Sequence, residues 1–182
     1  MMETIGFLEL NSIAKGIEAA DIVLKTAAVE LLFAKPGCPG KYYLLFTGEV
    51  EAVQASLDAG RAVGGGHVVD ACVIPRVHPQ VIRAINLTSM PESMRAVGVM
   101  EFFSVTASVY SADAAVKAAD VDLVDVRLGT GIGGKSFVIL TGEVAAVEAA
   151  VQAGTHTPNA EGMLVSSVVI PSPHAELLNS LF

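Results

Sequence analysis

The first half of the chain alternates between short apolar runs and apolar residues at helical spacing. Residues 5–10 form such a run and predict a β-strand. Ser12 follows as the expected N-cap of a helix, because a serine hydroxyl at this position accepts a hydrogen bond from the first helical turn. Four apolar residues are expected to share the apolar face of that helix: Ile13, Ile17, Ala20 and Leu24.

A β-hairpin is predicted next. Residues 29–34 and 42–46 have the apolar composition of strands. Between them lies Lys35-Pro36-Gly37-Cys38-Pro39-Gly40-Lys41, whose two Pro-Gly pairs favour turns. Cys38 is therefore expected in a loop flanked by two strands.

A second helix and a last strand complete this pattern. The helix is expected to begin near Glu49 and to end at Gly60 as its C-cap, with Val50, Val53 and Leu57 facing inward. Residues 68–74 predict a strand that Pro75 ends, and a short helix follows near His78. The order strand–helix–strand–strand–helix–strand plus a terminal helix predicts an α+β, ferredoxin-like sandwich with helices on one face of a mainly antiparallel sheet.

The second half of the chain repeats the first at an offset of about 92 residues. This period is far longer than that of a solenoid, so each copy is expected to be a domain. We predict one domain at 4–87, a linker at 88–95 and a second domain at 96–182. The matching segments are 5–9 with 97–101, 21–25 with 113–117, 47–50 with 141–144, and 74–75 with 170–171.

Composition narrows the function classes. The net charge of −8 and the lack of a dense Lys/Arg run argue against nucleic acid or an anionic membrane as the main partner. No uninterrupted apolar run approaches the roughly 20 residues of a membrane span. The first residues lack the pattern of a secretory signal, so a cytosolic protein is expected. Two separated cysteines favour a reducing compartment without a structural disulfide.

Several segments resemble the bacterial microcompartment (BMC) domain, a family of shell proteins. They are Gly16-Ile17-Glu18-Ala19-Ala20-Asp21, Lys25, Gly48-Glu49-Val50 and Ile74-Pro75-Arg76-Val77-His78-Pro79, and the second copy matches as well. Two such domains resemble the tandem class, which implies a homotrimer that imitates a hexamer in a cytoplasmic microcompartment shell. The resemblance implies contacts with other shell proteins at the tile edges through Lys25, Arg76 and Lys117. The sequence shows no Ser/His/Asp signature, Cys–His pair or clustered zinc-ligand spacing, so no enzyme activity is expected.

The loop around Cys38 resembles that of propanediol-utilisation shell proteins, which implies an iron–sulfur cluster of the [4Fe-4S] type at the pore. One chain offers a single suitable cysteine, whereas a trimer places three copies of Cys38 around one axis. Lys35 and Lys41 would offset the cluster's charge. The implied role is electron transfer across the shell, with a redox enzyme in the lumen as a partner. The pore loops comprise Pro36, Gly37, Pro39, Gly40, Gly129, Thr130, Gly131, Ile132, Gly133 and Gly134.

Other readings of these loops remain open. The local sequence around Cys38 also fits an exposed cysteine that has no role. Alternatively, a shell tile without a cluster would have an open pore that gates small metabolites. Residues 129–136 match the P-loop pattern G-x-x-x-x-G-K-S, which makes nucleotide binding an alternative from another class. A P-loop opens a helix, however, and residues 137–140 predict a strand. The repeat aligns Thr130 with Cys38, so a second hairpin is expected here.

The remaining candidate residues have simpler structural explanations. Cys72 lies in an apolar strand and is expected in the core. His78 and His174 precede the short terminal helices, where capping or packing is expected. Glu9 and Glu101 recur at strand ends, and duplication explains their pairing better than acid–base catalysis does.

Overall fold

The computed structural model describes residues 4–89, 91, 94–129 and 131–178. Thr130, the predicted linker residues 90, 92 and 93, and the end of the second predicted domain at 179–182 lie outside the described residues. The chain forms two compact units. One unit is built from the residues up to Val77 together with Ser104–Thr106 and the Gly129–Gly134 loop, and the other from His78–Phe103, Ala107–Leu128 and the residues from Lys135 onward.

The first unit contains an antiparallel four-stranded sheet with the strand order β2-β3-β1-β4. Its helices follow the first and third strands along the chain, as the apolar pattern predicts. The elements are β1 (Thr4–Leu10), α1 (Ile13–Thr26), β2 (Val29–Gly37), β3 (Lys41–Gly48), α2 (Val50–Gly64), a 3-10 turn (Gly65–His67) and β4 (Val68–Ile74).

The second unit repeats this arrangement with the strand order β6-β7-β5-β8. The short helix α3 (Pro79–Ile85) belongs to it, and α4 has its first two residues in the first unit. The other elements are β5 (Ala96–Phe102), α4 (Val105–Ala118), β6 (Val121–Arg127), β7 (Ser136–Gly142), α5 (Val144–Thr155), β8 (Leu164–Ile170) and α6 (Ala175–Leu178). The predicted α+β order is confirmed in both copies.

Helix α1 packs on the sheet through a face of small residues, and of the four residues predicted on its inner face only Ala20 is buried. Gly16, Ala19 and Val23 are buried, whereas Ile13, Ile17 and Leu24 are exposed. The reason is a close approach to Tyr42: a Cβ atom added at Gly16 would lie 2.4 Å from the Cβ, Cγ and Cδ1 atoms of that side chain. Ser12 caps the helix as predicted, since its Oγ accepts a hydrogen bond from the Lys15 N–H.

Helix α2 is longer than predicted. It continues through Gly60 to Gly64, and its C-cap is Gly65, whose φ is 51° and whose N–H donates to the Arg61 carbonyl. Gly60 serves packing instead, because a Cβ there would lie 2.8 Å from Val23 Cγ2. Val53 and Leu57 are buried as predicted.

Val50 corrects the predicted inner face of α2. It is the first residue of the helix and its side chain is exposed. The residues that pack inward begin one turn later. Among the described residues, no helix combines the length and the apolar character that a membrane span requires.

Candidate functional site

Cys38 lies at the tip of the hairpin between β2 and β3, as the sequence predicts. Its thiol is free and the residue is half-buried. The Tyr43 hydroxyl donates to the Cys38 carbonyl oxygen at 3.3 Å, which leaves the thiol out of this contact. Burial, with the nearby charge of Glu9, raises the Tyr43 pKa above its ordinary value of 10.0, so the phenol remains a hydrogen-bond donor at neutral pH.

The glycine loop of the second copy lies against this hairpin within the first unit. A Cβ atom added at Gly134 would lie 2.6 Å from Pro39 Cδ and 2.9 Å from the Cys38 carbonyl oxygen. One added at Gly129 would lie 2.4 Å from the Tyr43 hydroxyl oxygen. The structure thus brings together members of both predicted pore loops, while Thr130 is outside the described residues.

The P-loop pattern of residues 129–136 lacks the structural setting of a nucleotide site. Strand β6 precedes the loop and strand β7 begins at Ser136, so a hairpin stands where a P-loop requires a helix N-terminus. Lys135 Nζ forms an ion pair with Glu101 Oε1 at 2.9 Å. The predicted strand–loop–strand arrangement is confirmed.

The two lysines beside Cys38 have partners within the chain. Lys41 Nζ lies 2.6 Å from Glu9 Oε1 and donates to the Gly134 carbonyl oxygen at 3.2 Å. Lys35 Nζ lies 4.5 Å from the centre of the Phe33 ring. The charge of Lys41, expected to offset that of a cluster, is therefore already balanced by a carboxylate.

Glu9 is the residue whose importance the sequence analysis missed. Its side chain is fully buried, and Oε2 accepts hydrogen bonds from the Val105 N–H at 2.9 Å and the Thr106 N–H at 3.2 Å. The Ser104 hydroxyl donates to the same oxygen at 3.1 Å. Glu9 thus caps the N-terminus of α4, where a carboxylate interacts favourably with the helix dipole.

Asp70 extends this network. It is the cross-strand neighbour of Glu9, and its Oδ2 lies 2.8 Å from the Ser104 hydroxyl oxygen, whose one hydrogen is shared between the two carboxylates. Burial raises the pKa of Asp70 above its ordinary value of 3.8, and the nearby Glu9 adds to the rise. The repeat held a signal for one part of this network, because each copy pairs a glutamate near the end of its first strand with a lysine at or directly before the start of its third, Glu9 with Lys41 and Glu101 with Lys135.

The predicted edge residues lie apart from these loops in the chain. Lys25 Nζ pairs with Asp21 Oδ2 at 2.6 Å on the exposed side of α1. Lys117 Nζ pairs with Asp113 Oδ2 at 2.5 Å, and Arg76 is exposed with a φ of 50°. These positions are compatible with contacts at a tile edge, which stay a prediction.

The remaining predictions concern one cysteine and two histidines. Cys72 is buried in β4, as predicted. His78 Nδ1 accepts from the Gln80 N–H and His174 Nδ1 from the Glu176 N–H, which confirms the capping role. In the described part of one chain, no three His, Cys, Asp or Glu side chains come together in a way that would hold a metal ion.

Comparison with known proteins identifies the family. The model of the BMC domain matches this chain twice, at residues 4–77 and 96–173. The chain belongs to the bacterial microcompartment domain family. It is 43% identical over 177 residues to the bacterial microcompartment shell protein PduT of Citrobacter freundii, which covers 97% of this chain and 96% of that protein.

Solved structures support the BMC assignment. A microcompartment protein from Desulfitobacterium hafniense superposes with a TM-score of 0.86 at 52% identity, over 98% of this chain and 99% of that one. The fused permuted hexameric shell protein MSM0275 superposes with a TM-score of 0.62 at 27% identity, and the match covers 84% of this chain and 79% of that one. The chain is thus a structural shell protein with two tandem BMC domains, and BMC shell proteins form microcompartment shells in the bacterial cytoplasm.

Proposed function

We propose that three chains form a pseudohexameric tile of the shell and that their three Cys38 thiolates hold one [4Fe-4S] cluster at the central pore. The tile would carry electrons across the shell between a reductant on one side and an oxidant on the other. The observation that carries the proposal is the position of Cys38, a free and half-buried thiol at the tip of a hairpin.

The residues around Cys38 fit such a cluster. Cysteine thiolates are the usual ligands of iron–sulfur clusters, and a cyclic trimer supplies three from one position. The hairpin is anchored through the Cys38 carbonyl by Tyr43, so the thiol stays available as a ligand. Gly40 has open space where a Cβ atom would stand, which permits close approach of other chains. When bound, the cluster supplies reversible one-electron chemistry.

The proposed partners follow from the shell. Other shell proteins would meet the tile at its edges through Lys25, Arg76 and Lys117, and a redox enzyme in the lumen would exchange electrons at the pore. The similar proteins are named as shell proteins, and we propose no catalytic activity for this chain.

Spectroscopy of anaerobically reconstituted protein tests the proposal. We expect visible charge-transfer absorption from the wild type and its loss in Cys38→Ser. Cys72→Ser is the matched control, because it makes the same atomic change at a buried cysteine of the core and should keep the absorption. A Cys38→Ser protein that retains the spectrum would contradict the assignment, and a trimeric wild type without iron would favour a pore for small metabolites.

A further inference from the structure

The two copies hold the same Glu–Lys pair in different surroundings. Glu9 lies opposite Tyr43 in the sheet and Glu101 lies opposite Phe137, so the two glutamates occupy equivalent positions. The side chains of Glu9 and Lys41 are 0% and 14% exposed, whereas those of Glu101 and Lys135 are 35% and 42% exposed. The second pair therefore lacks a cover that the first pair has.

The cover of the first pair is the start of a helix. Ser104 and the N–H groups of Val105 and Thr106 bind Glu9 Oε2, and the first turn of α4 contains no acidic residue of its own. The equivalent helix in the first copy is α1, which also follows a serine, Ser12, and also lacks an acidic residue in its first turn. The N–H groups of a first helical turn have no acceptor within the helix.

The two helices show the reverse pattern. Apolar residues are exposed on the helix of the first copy, where the glutamate is buried, and are buried on the helix of the second copy, where the glutamate is exposed. Ile13 and Ile17 of α1 are 42% and 56% exposed. Their counterparts in α4, Val105 and Val109, are both 0% exposed. The first copy thus leaves its helix uncovered and the second copy leaves its Glu–Lys pair uncovered. The two exposed surfaces are a helix N-terminus and a Glu–Lys pair. The chain already joins one such helix N-terminus to one such pair, where the first turn of α4 contacts Glu9.

We infer that a second copy of this chain covers the Glu101–Lys135 pair with the N-terminal turn of its α1 helix. Glu101 accepts hydrogen bonds from the Ser12 hydroxyl and the first-turn N–H groups of that copy, as Glu9 does from Ser104 and the turn after it. Because each chain offers both surfaces, the contact is head-to-tail, and such a contact builds a closed ring when its rotation closes, as in the proposed trimer. The inference rests on the proposed trimer and assigns the residues of its interface.

The same contact reaches the cysteine loop. Lys41 donates to the carbonyl of Gly134, the residue directly before Lys135. By the same geometry, Lys135 donates to the carbonyl of Gly40 in the second copy, the residue directly before its Lys41. Gly40 is two residues from Cys38, so the contact fixes one end of the loop that we propose as the cluster ligand.

Glu101→Gln tests the inference, with Glu148→Gln as the matched control because it removes the same charge from an exposed position on α5. Sedimentation of dilute protein should show that Glu101→Gln dissociates at a concentration about tenfold or more above that of wild type, since the donors of the second copy lose their charged acceptor at the interface. Ile17→Asp, on the exposed side of α1, should weaken assembly as well. The control should dissociate as the wild type does.

The outcomes separate the inference from the proposed function. A wild type that sediments as a monomer at every concentration would contradict the trimer itself. A trimeric wild type whose dissociation is unchanged, within twofold, in both Glu101→Gln and Ile17→Asp would overturn the interface assignment alone. Thermal melting of each variant as a monomer checks that its fold is intact.

Discussion

The buried carboxylate of Glu9 contacts one ammonium group, one serine hydroxyl and two backbone N–H groups. A carboxylate so far from water is stable only if its charge is paired and its lone pairs accept hydrogen bonds. The neighbouring loop depends on this arrangement, because Lys41 connects Glu9 to Gly134, which itself lies against Cys38 and Pro39. At the residue scale, the support of the cysteine loop is therefore electrostatic.

Removing the charge of Glu9 should destabilise the chain. Glu9→Gln leaves the mostly buried Lys41 ammonium without its counter-ion, and breaking a buried pair in this way typically costs about 3–5 kcal/mol. Urea unfolding at a fixed protein concentration measures the loss, and the exposed Glu148→Gln should change the free energy of unfolding by less than about 0.5 kcal/mol. Equal effects of the two substitutions would show that the Glu9 network contributes nothing.

Asp70 should make the stability depend on pH. Its pKa is raised in the folded state, so the folded chain binds the proton more tightly than the unfolded chain does. The ionised Asp70 therefore lowers the stability above its folded-state pKa, and this cost is relieved as the pH falls through that value towards 3.8. Asp70→Asn should stabilise the protein at pH 7 by about 0.2–1 kcal/mol, the range for cross-strand pairs, because it removes the like charge opposite Glu9.

Denaturation at a series of pH values checks this expectation. The advantage of Asp70→Asn over the wild type should shrink as the pH is lowered, since the wild-type carboxyl then becomes neutral as well. Ser104 keeps Glu9 as an acceptor in the variant, so the cap of α4 remains. An advantage that grows towards acid pH would contradict the sign of the shift.

Among the elements, α1 and α4 show how one fold accommodates two packings. In the first copy Gly16 lies beneath Tyr42, a glycine under a large ring. At the equivalent places in the second copy, Ser108 and Ser136 share a buried hydrogen bond between their hydroxyl oxygens. A large residue on the strand is thus matched by the smallest on the helix, and in the second copy two small polar residues replace this pair.

Gly16→Ala tests this packing. The added methyl group would overlap the stem of Tyr42, which cannot swing away, and overpacking of this kind typically costs about 1–3 kcal/mol. Gly66→Ala is the matched control, because a Cβ atom there meets nothing within 4 Å. Thermal or urea unfolding should separate the two variants. If the Gly16 variant is as stable as the control, the close approach of α1 to Tyr42 is not what selects its inner face.

Sequence patterns predicted the order of elements because each strand and helix carries its own periodicity, and the repeat supplied the second domain from the first. They did not predict the inner face of α1, since a contact with Tyr42 decides it and periodicity alone favours the larger Ile13 and Ile17. They also passed over Glu9, whose acceptor role depends on residues 95 to 97 positions away. Contacts at such separations are set by tertiary structure and leave no local signal.

At the scale of the whole molecule, duplication gives a chain whose copies are alike in fold and different at the loops. The hairpin loop of the first copy contains one cysteine, Cys38, and the longer glycine-rich loop of the second copy contains none. A trimer of such chains therefore carries three loop thiols around its axis rather than six. Three thiols match the proposed cluster with three cysteine ligands, so the cluster can form only if the chain assembles as a trimer.

Iron and acid-labile sulfide, measured per chain in anaerobically purified protein, test whether three Cys38 thiolates hold one cluster. We expect about four irons and four sulfides for every three chains of wild type, as one [4Fe-4S] cluster per trimer requires, and none in a Cys38→Ser trimer. The proposed cluster would be contradicted if wild type and Cys38→Ser both bound one or more irons per chain. It would also be contradicted if the wild-type trimer contained no iron after anaerobic reconstitution.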